Sequence, residues 1–209
     1  MRKKKNEIFM AIKEDILNNA KAYFIVIIIF AVGIFLGVMF INQMQDKGEI
    51  EKYINTYVDE TKVLQKGNYL GELQKDILSN IGLVLALWFA GTTIIGIPIV
   101  LGIILIRGFS LGYTIASCVF VLGKMKGIIF ILITIFLQNI IFIPALMIFG
   151  VSSIKLYKSI LKDRQKELIK SNIIKHTLIS GLMILVLIIS SFVENIVSVH
   201  MLKNFIKYF

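Results

Sequence analysis

Residue types able to do chemistry are scarce in this 209-residue chain, and their spacing argues against most reactions. His176 and His200 are its two histidines, and they flank the last apolar run at opposite ends. They are therefore expected on opposite sides of a membrane, as interfacial polar residues that cannot share a metal ion. Cys118 is the single cysteine and lies inside an apolar run. An intramolecular disulfide and a cysteine-based metal site are thereby excluded, and Cys118 reads as a small packing residue. No paired acids occupy an apolar setting, no histidine has a nucleophile nearby, and no glycine-rich phosphate loop occurs. An enzyme is not expected, and no cofactor or metal is implied.

What remains is a set of amides and one acid within apolar sequence. Gln138 and Asn139 fall in the middle of an apolar run, ahead of Pro144. Two carboxamides at bilayer depth should face protein or a water-filled cavity. They would brace carbonyls freed by Pro144, or else line a polar conduit. Glu194 and Asn195 lie near the end of the last run, and Glu194 is the only acid within a span. A proton relay needs further titratable groups in series, and none accompanies it.

The elements that must hold these residues are five long apolar stretches, at 22–41, 81–106, 108–123, 127–151 and 177–199. Crossing the hydrocarbon core takes about 20 mostly apolar residues. Backbone groups in lipid must be satisfied within the segment, so the stretches are expected to be helices. The composition agrees, with 57% hydrophobic and 17% charged residues. The expected fold is an all-α integral membrane protein of one domain with five transmembrane helices. The net charge of +10 is gathered in blocks between the apolar runs. It signals topology rather than nucleic-acid binding, since no groove-reading motif accompanies the lysines. Run 108–123 is short, yet if it spans, the lysine-rich loop 152–176 joins the basic N-terminus inside. The N-terminus is then in and the C-terminus out, with loop 42–80 outside.

Residues 1–21 show helical apolar spacing opposite lysines and glutamates, as an amphipathic helix on the inner membrane surface does. Loop 42–80 carries a second apolar stripe that includes Tyr53, Ile54 and Tyr57. That stripe must bury against the chain's own spans, lipid or a partner. Gly33 and Gly37, and likewise Gly108 and Gly112, are small residues four apart, the spacing that lets membrane helices approach closely. They suit packing within the chain or a homodimer contact. Gly96 and Pro98 predict a kink in run 81–106, and Pro144 another in run 127–151.

Read in order, the runs carry Trp88-Phe89-Ala90-Gly91-Thr92-Thr93-Ile94-Ile95-Gly96-Ile97-Pro98, then Arg107-Gly108-Phe109-Ser110-Leu111-Gly112-Tyr113-Thr114, then Leu137-Gln138-Asn139-Ile140-Ile141-Phe142-Ile143-Pro144-Ala145. This ordered set resembles the stage II sporulation protein M family over nearly the whole chain. Leu137 stands where many members have proline. The resemblance implies a role in forespore engulfment, in the mother-cell membrane of an endospore former. It further implies a complex with stage II sporulation proteins D and P, the peptidoglycan hydrolases that such a scaffold recruits. It implies no catalytic residues. A permease-like transport protein, with a polar cavity around Gln138 and Asn139, is the alternative.

Overall fold

A computed structural model of the chain describes residues 10, 13–44, 48–52, 54–56, 69–93, 96–162 and 166–193. Among the described residues there is no strand. The long helices are α1 (Ala20–Gln43), α2 (Tyr69–Gly91), α3 (Gly96–Leu122), α4 (Lys124–Lys162) and α5 (Lys166–Val193). Four stretches are long and apolar enough to cross a membrane: α1, α3, residues 139–161 of α4 and residues 170–192 of α5. In α2 the apolar part, Ile77–Gly91, is shorter.

The boundary expected between two runs at Arg107-Gly108 does not exist, because α3 runs through it unbroken. Arginine is a good helix former, and its charge interrupts hydropathy without interrupting hydrogen bonding. The chain breaks earlier, after Gly91. There the Thr92 hydroxyl donates to the Phe89 carbonyl (2.8 Å) and the Thr93 hydroxyl to the Ala90 carbonyl (3.0 Å), satisfying groups that a helix end leaves open. A side chain at Gly96 would collide with the Ala90 carbonyl, so only glycine lets the chain turn back this tightly. Pro98 therefore does not kink a span. It lies in the first turn of α3, where its missing N–H would have had no helical partner. Pro144, by contrast, is inside α4, which continues through it for another 18 residues.

Contacts fix the relative directions of the helices. Gly33 of α1 meets Leu105 and Phe109 of α3, and Gly37 meets Phe109 and Tyr113, so these two run parallel. Gly123, at a φ of 81°, joins α3 directly to α4. The pair is antiparallel, with Gly127 against Cys118 and Gly150 against Ile104. Side-chain bonds align α5 antiparallel to both α4 and α2: Asn172 to Ser159 (2.7 Å), Trp88 to Thr177 (3.1 Å) and Asn80 to Ser191 (2.9 Å). A single core threads all five helices, from Val26 and Phe30 through Leu87 and Ile104 to Leu146, Phe149 and Leu187. Outside it lies a broad apolar surface, including Phe24, Phe35, Phe89, Ile106, Leu178 and Leu182. A water-soluble domain does not expose this much contiguous apolar area.

Lipid tails are as apolar as leucine, so close packing rather than the hydrophobic effect draws such helices together. The two glycine pairs provide it. A methyl group on Gly33, Gly37, Gly108 or Gly112 would strike the backbone of the opposing helix. Both small-residue motifs thus face each other within one chain. Gly102 of α3, in contrast, has nothing within 4 Å of a would-be side chain. Gly37→Ala is accordingly expected to destabilise the protein by about 1–3 kcal/mol through overpacking. Gly102→Ala should be neutral, or stabilising by up to about 1 kcal/mol through helix propensity. Thermal unfolding in detergent compares them, and equal melting points would contradict backbone contact between α1 and α3.

Candidate functional site

Three groups of residues stand out where a purely apolar bundle would have none. The first is at the α3–α4 turn. Residues 48–52 and 54–56 are helical, and Ile50 and Ile54 are fully buried. Ile54 packs with Cys118 of α3 and Phe130 of α4. Of the three burial modes open to the stripe, Ile54 takes the first, seating the segment on the chain's own helices. It is thereby removed from any free surface. Tyr53 and Tyr57 lie outside the described residues. Cys118 is buried as a small apolar residue.

The second group gathers around His176. An interfacial position was expected for it, beside Lys175, but the ring is fully buried. The reason is helical register: His176, Ser180, Met183 and Leu187 share the inward face of α5. Ser152 Oγ and His176 Nδ1 are 2.9 Å apart, and the Phe149 ring lies at 4.9 Å between centroids. Nε2 is buried without a hydrogen-bond partner. It faces Gly91, where an added Cβ would lie 2.6 Å from Nε2 and 2.8 Å from Ser153 Oγ. A serine and a histidine are therefore in contact, but packed among helices rather than opened toward a substrate. The side-chain bonds Trp88–Thr177, Asn80–Ser191 and Asn172–Ser159 extend this polar seam along α2, α4 and α5. Each interhelical bond of this kind is worth roughly 0.6–2 kcal/mol in a membrane. Nothing in the hydropathy profile marked the seam; the recurrence of serines at helical spacing is the only signal it leaves.

Arg107 is the third. It is level with Gly33, about 18 Å along α1 from Lys21 and about 14 Å from Asn42 at 1.5 Å per residue. That is the middle of the span, not the inner loop in which hydropathy alone would put it. The guanidinium is half-buried, and its carbon lies 5.4 Å from the centre of the Phe142 ring of α4. A cation–π contact offers about 0.5–2 kcal/mol. Placing arginine at the centre of a membrane helix costs at least about 2.5–3.5 kcal/mol. Phe142 alone does not offset that. Asn139 is half-buried, one turn from Phe142, and has an interaction partner. The side chain of Gln138 lies outside the described residues, as do Glu194 and Asn195.

A bundle of alternating apolar helices, internally hydrogen-bonded and apolar on its outside, defines a multi-pass membrane protein. Basic residues cluster where Lys155 of α4 meets Asp15 (2.6 Å) and where Lys170 and Lys175 begin α5. Residues 26–199 match the family model described as stage II sporulation protein M, so the chain belongs to that family. No curated protein and no solved structure matched it.

The contact at Gly91 predicts a measurable coupling. Ser152→Ala leaves both ring nitrogens of His176 unpartnered and should cost about 1–3 kcal/mol. Gly91→Ala forces the ring aside and should cost a similar amount, about 1–3 kcal/mol. In a His176→Ala background the Gly91→Ala penalty should shrink, because the obstructing ring is gone. Strictly additive losses in a detergent unfolding cycle would show that the two residues do not touch.

Proposed function

We propose that this chain is a non-catalytic membrane scaffold. It recruits stage II sporulation proteins D and P, peptidoglycan hydrolases, for wall remodelling as the mother-cell membrane engulfs the forespore. The observation that carries this reading is the family match across residues 26–199. The packing is in keeping with it. The serine–histidine contact is enclosed, and the helix break at residues 92–93 lies at the level of His176, near the basic end of the bundle. A transporter that binds its substrate at a broken helix has the break near the midplane. The position of the break therefore lends a permease no support.

The same reading takes all five helices as crossings, with the N-terminus inside. Alternating directions favour it: α1 and α3 run parallel, α2 and α4 run the other way, and α5 returns. Lys13, Lys21, Lys155, Lys158, Lys170 and Lys175 then gather at one end, opposite Lys124 and Lys126. Basic residues of this density are retained on the cytoplasmic side, where anionic headgroups attract them. Helix α4, with 39 residues, is about 58 Å long and must project beyond a core of about 30 Å. Its projecting end carries Phe130, on which Ile54 is seated. In this reading the outer surface built there is the part of the scaffold nearest the wall.

Single cysteines in a Cys118→Ala background test the topology. Thr93 and Ser171 should label from the inside, Lys75 and Met125 from the outside. Labelling of Lys75 and Thr93 from the same side would reduce the crossings to four. The scaffold itself is tested by affinity recovery from sporulating cells in mild detergent. Stage II sporulation proteins D and P should co-purify with the intact chain, and their absence would refute the role.

A further inference from the structure

Among the described residues, none at the depth of Arg107 is an anion. No aspartate or glutamate occurs between Asp15 and Asp46, between Asp76 and Asp163, or between Glu167 and Glu194. The Phe142 ring is its one described contact with an attractive charge distribution, and that contact is too weak for the cost. Snorkelling does not solve the problem either. Lipid phosphates lie beyond the hydrocarbon edge, roughly 15 Å from the midplane, farther than an arginine side chain reaches without thinning the bilayer.

The surroundings of Arg107 are polar along one line. Arg107, Ser110 and Thr114 follow one another at three- and four-residue steps and share a face of α3. Ser110 is exposed, and Thr114 and Arg107 are half-buried. The Thr114 hydroxyl donates to the Ser110 carbonyl (2.9 Å). Ile106 on the neighbouring face is open to lipid. The glycine face of α3 is already consumed by α1, and Ile104 and Cys118 are enclosed by α4. This strip is thus a margin of α3 that the bundle itself covers only in part.

We propose that the strip formed by Arg107, Ser110 and Thr114, beside Phe142, is a docking site for a transmembrane helix of another protein. That helix carries an aspartate or glutamate at mid-membrane depth. Charge complementarity selects this occupant. A carboxylate on a neighbouring helix forms a two-point hydrogen bond with the guanidinium and leaves neither charge facing lipid. A second copy of this chain inserted the same way offers only Glu194, at the outer end of run 177–199. Small Ser110 admits close approach of the incoming backbone, as small residues do at membrane helix contacts. Why a partner helix should be present rests on the scaffold reading; the position and chemistry of its dock rest on Arg107.

A photo-crosslinking residue at Ser110 of the full chain, irradiated in sporulating cells, tests the site, with one at Leu182 on a remote lipid-facing surface as control. The expected adduct is a protein whose crosslinked peptide is a transmembrane segment containing aspartate or glutamate, formed from Ser110 and not from Leu182. Arg107→Leu should lower its yield at least about tenfold, as loss of one member of a desolvated charge pair does. Arg107→Lys should retain part of it. Arg107→Glu paired with the partner's carboxylate changed to arginine should restore it. Adducts to lipid alone, a crosslinked helix without an acid, or an unchanged yield in correctly inserted Arg107→Leu would each overturn the proposal. The two readings fail separately. Recovery of stage II sporulation proteins D and P that ignores Arg107 preserves the scaffold and removes the dock. An acid-bearing helix from an unrelated protein, lost in Arg107→Leu, preserves the dock and removes those partners.

Discussion

Gly33 and Gly37 lie on the backbone of α3, and Gly108 and Gly112 on the backbone of α1, so the two helices meet main chain to main chain. The placement of α3, and of α4 after it, follows from this contact. It holds two helices parallel that are joined through an outer segment and α2, and so requires that the chain return before α3 begins. It sets the register of α3, which puts Arg107 level with the middle of α1. Beyond the glycines, Phe40, Phe109 and Tyr113 cluster with centroids 5.8–6.3 Å apart, closing the C-terminal part of the same seam. Gly123 then returns the chain, so α4 is placed by a helix that α1 has already fixed.

The opposite side of the bundle is joined differently. Helices α2, α4 and α5 carry no comparable glycine face, and their association runs through side-chain hydrogen bonds from Asn80, Trp88, Ser152 and Asn172. In water such bonds would compete with solvent. In lipid the competitor is an unsatisfied polar group or another protein contact, which makes them specific more than strong. The ion pair of Asp15 with Lys155 is partly exposed and adds little stability. It does tie the segment before α1 to the end of α4. Two devices, close backbone contact on one side and directional polar bonds on the other, thus fix five helices that hydrophobicity alone would leave free to slide.

How much of this could be read from residue types depends on what each residue does. Small residues four apart announced Gly33, Gly37, Gly108 and Gly112 as packing positions. Nothing local says that the two pairs oppose each other, because that is a long-range fact. The break after Gly91 was missed because Gly96 and Pro98 read as a kink within one apolar run, while the Thr92 and Thr93 hydroxyls that end the helix leave no mark on hydropathy. Proline at position 98 drew attention a few residues too late. His176 was misplaced because Lys175 beside it is solvated, and neighbours in sequence point in different directions on a helix. Arg107 was taken for a loop because charge is scored as exposure. In a helix the same residue continues the backbone and carries its charge to bilayer depth. The membrane class, by contrast, needed only apolar run lengths.

A scaffold inside a membrane faces a recognition problem that soluble proteins do not share. Its lateral surface is surrounded by lipid of the same polarity, so an apolar face offers a partner helix little that acyl chains do not. Preference must come from close packing or from polar groups whose cost is relieved only by the right neighbour. Here the close-packing motifs are spent on holding α1 against α3, and the hydrogen-bonding serines are mostly spent on α5. Arg107 remains, at a depth where its charge is most costly and where no described residue carries the opposite sign. A residue that is expensive in the isolated chain becomes favourable when a carboxylate arrives. This makes it selective in a way that Phe35 or Leu182, at ease in lipid, are not. The same reasoning separates the two proposed contact regions. On the proposed topology the surface around Ile54 would lie in water and discriminate by shape and rim charge. The Arg107 strip lies in hydrocarbon and discriminates by the sign of one charge at one depth.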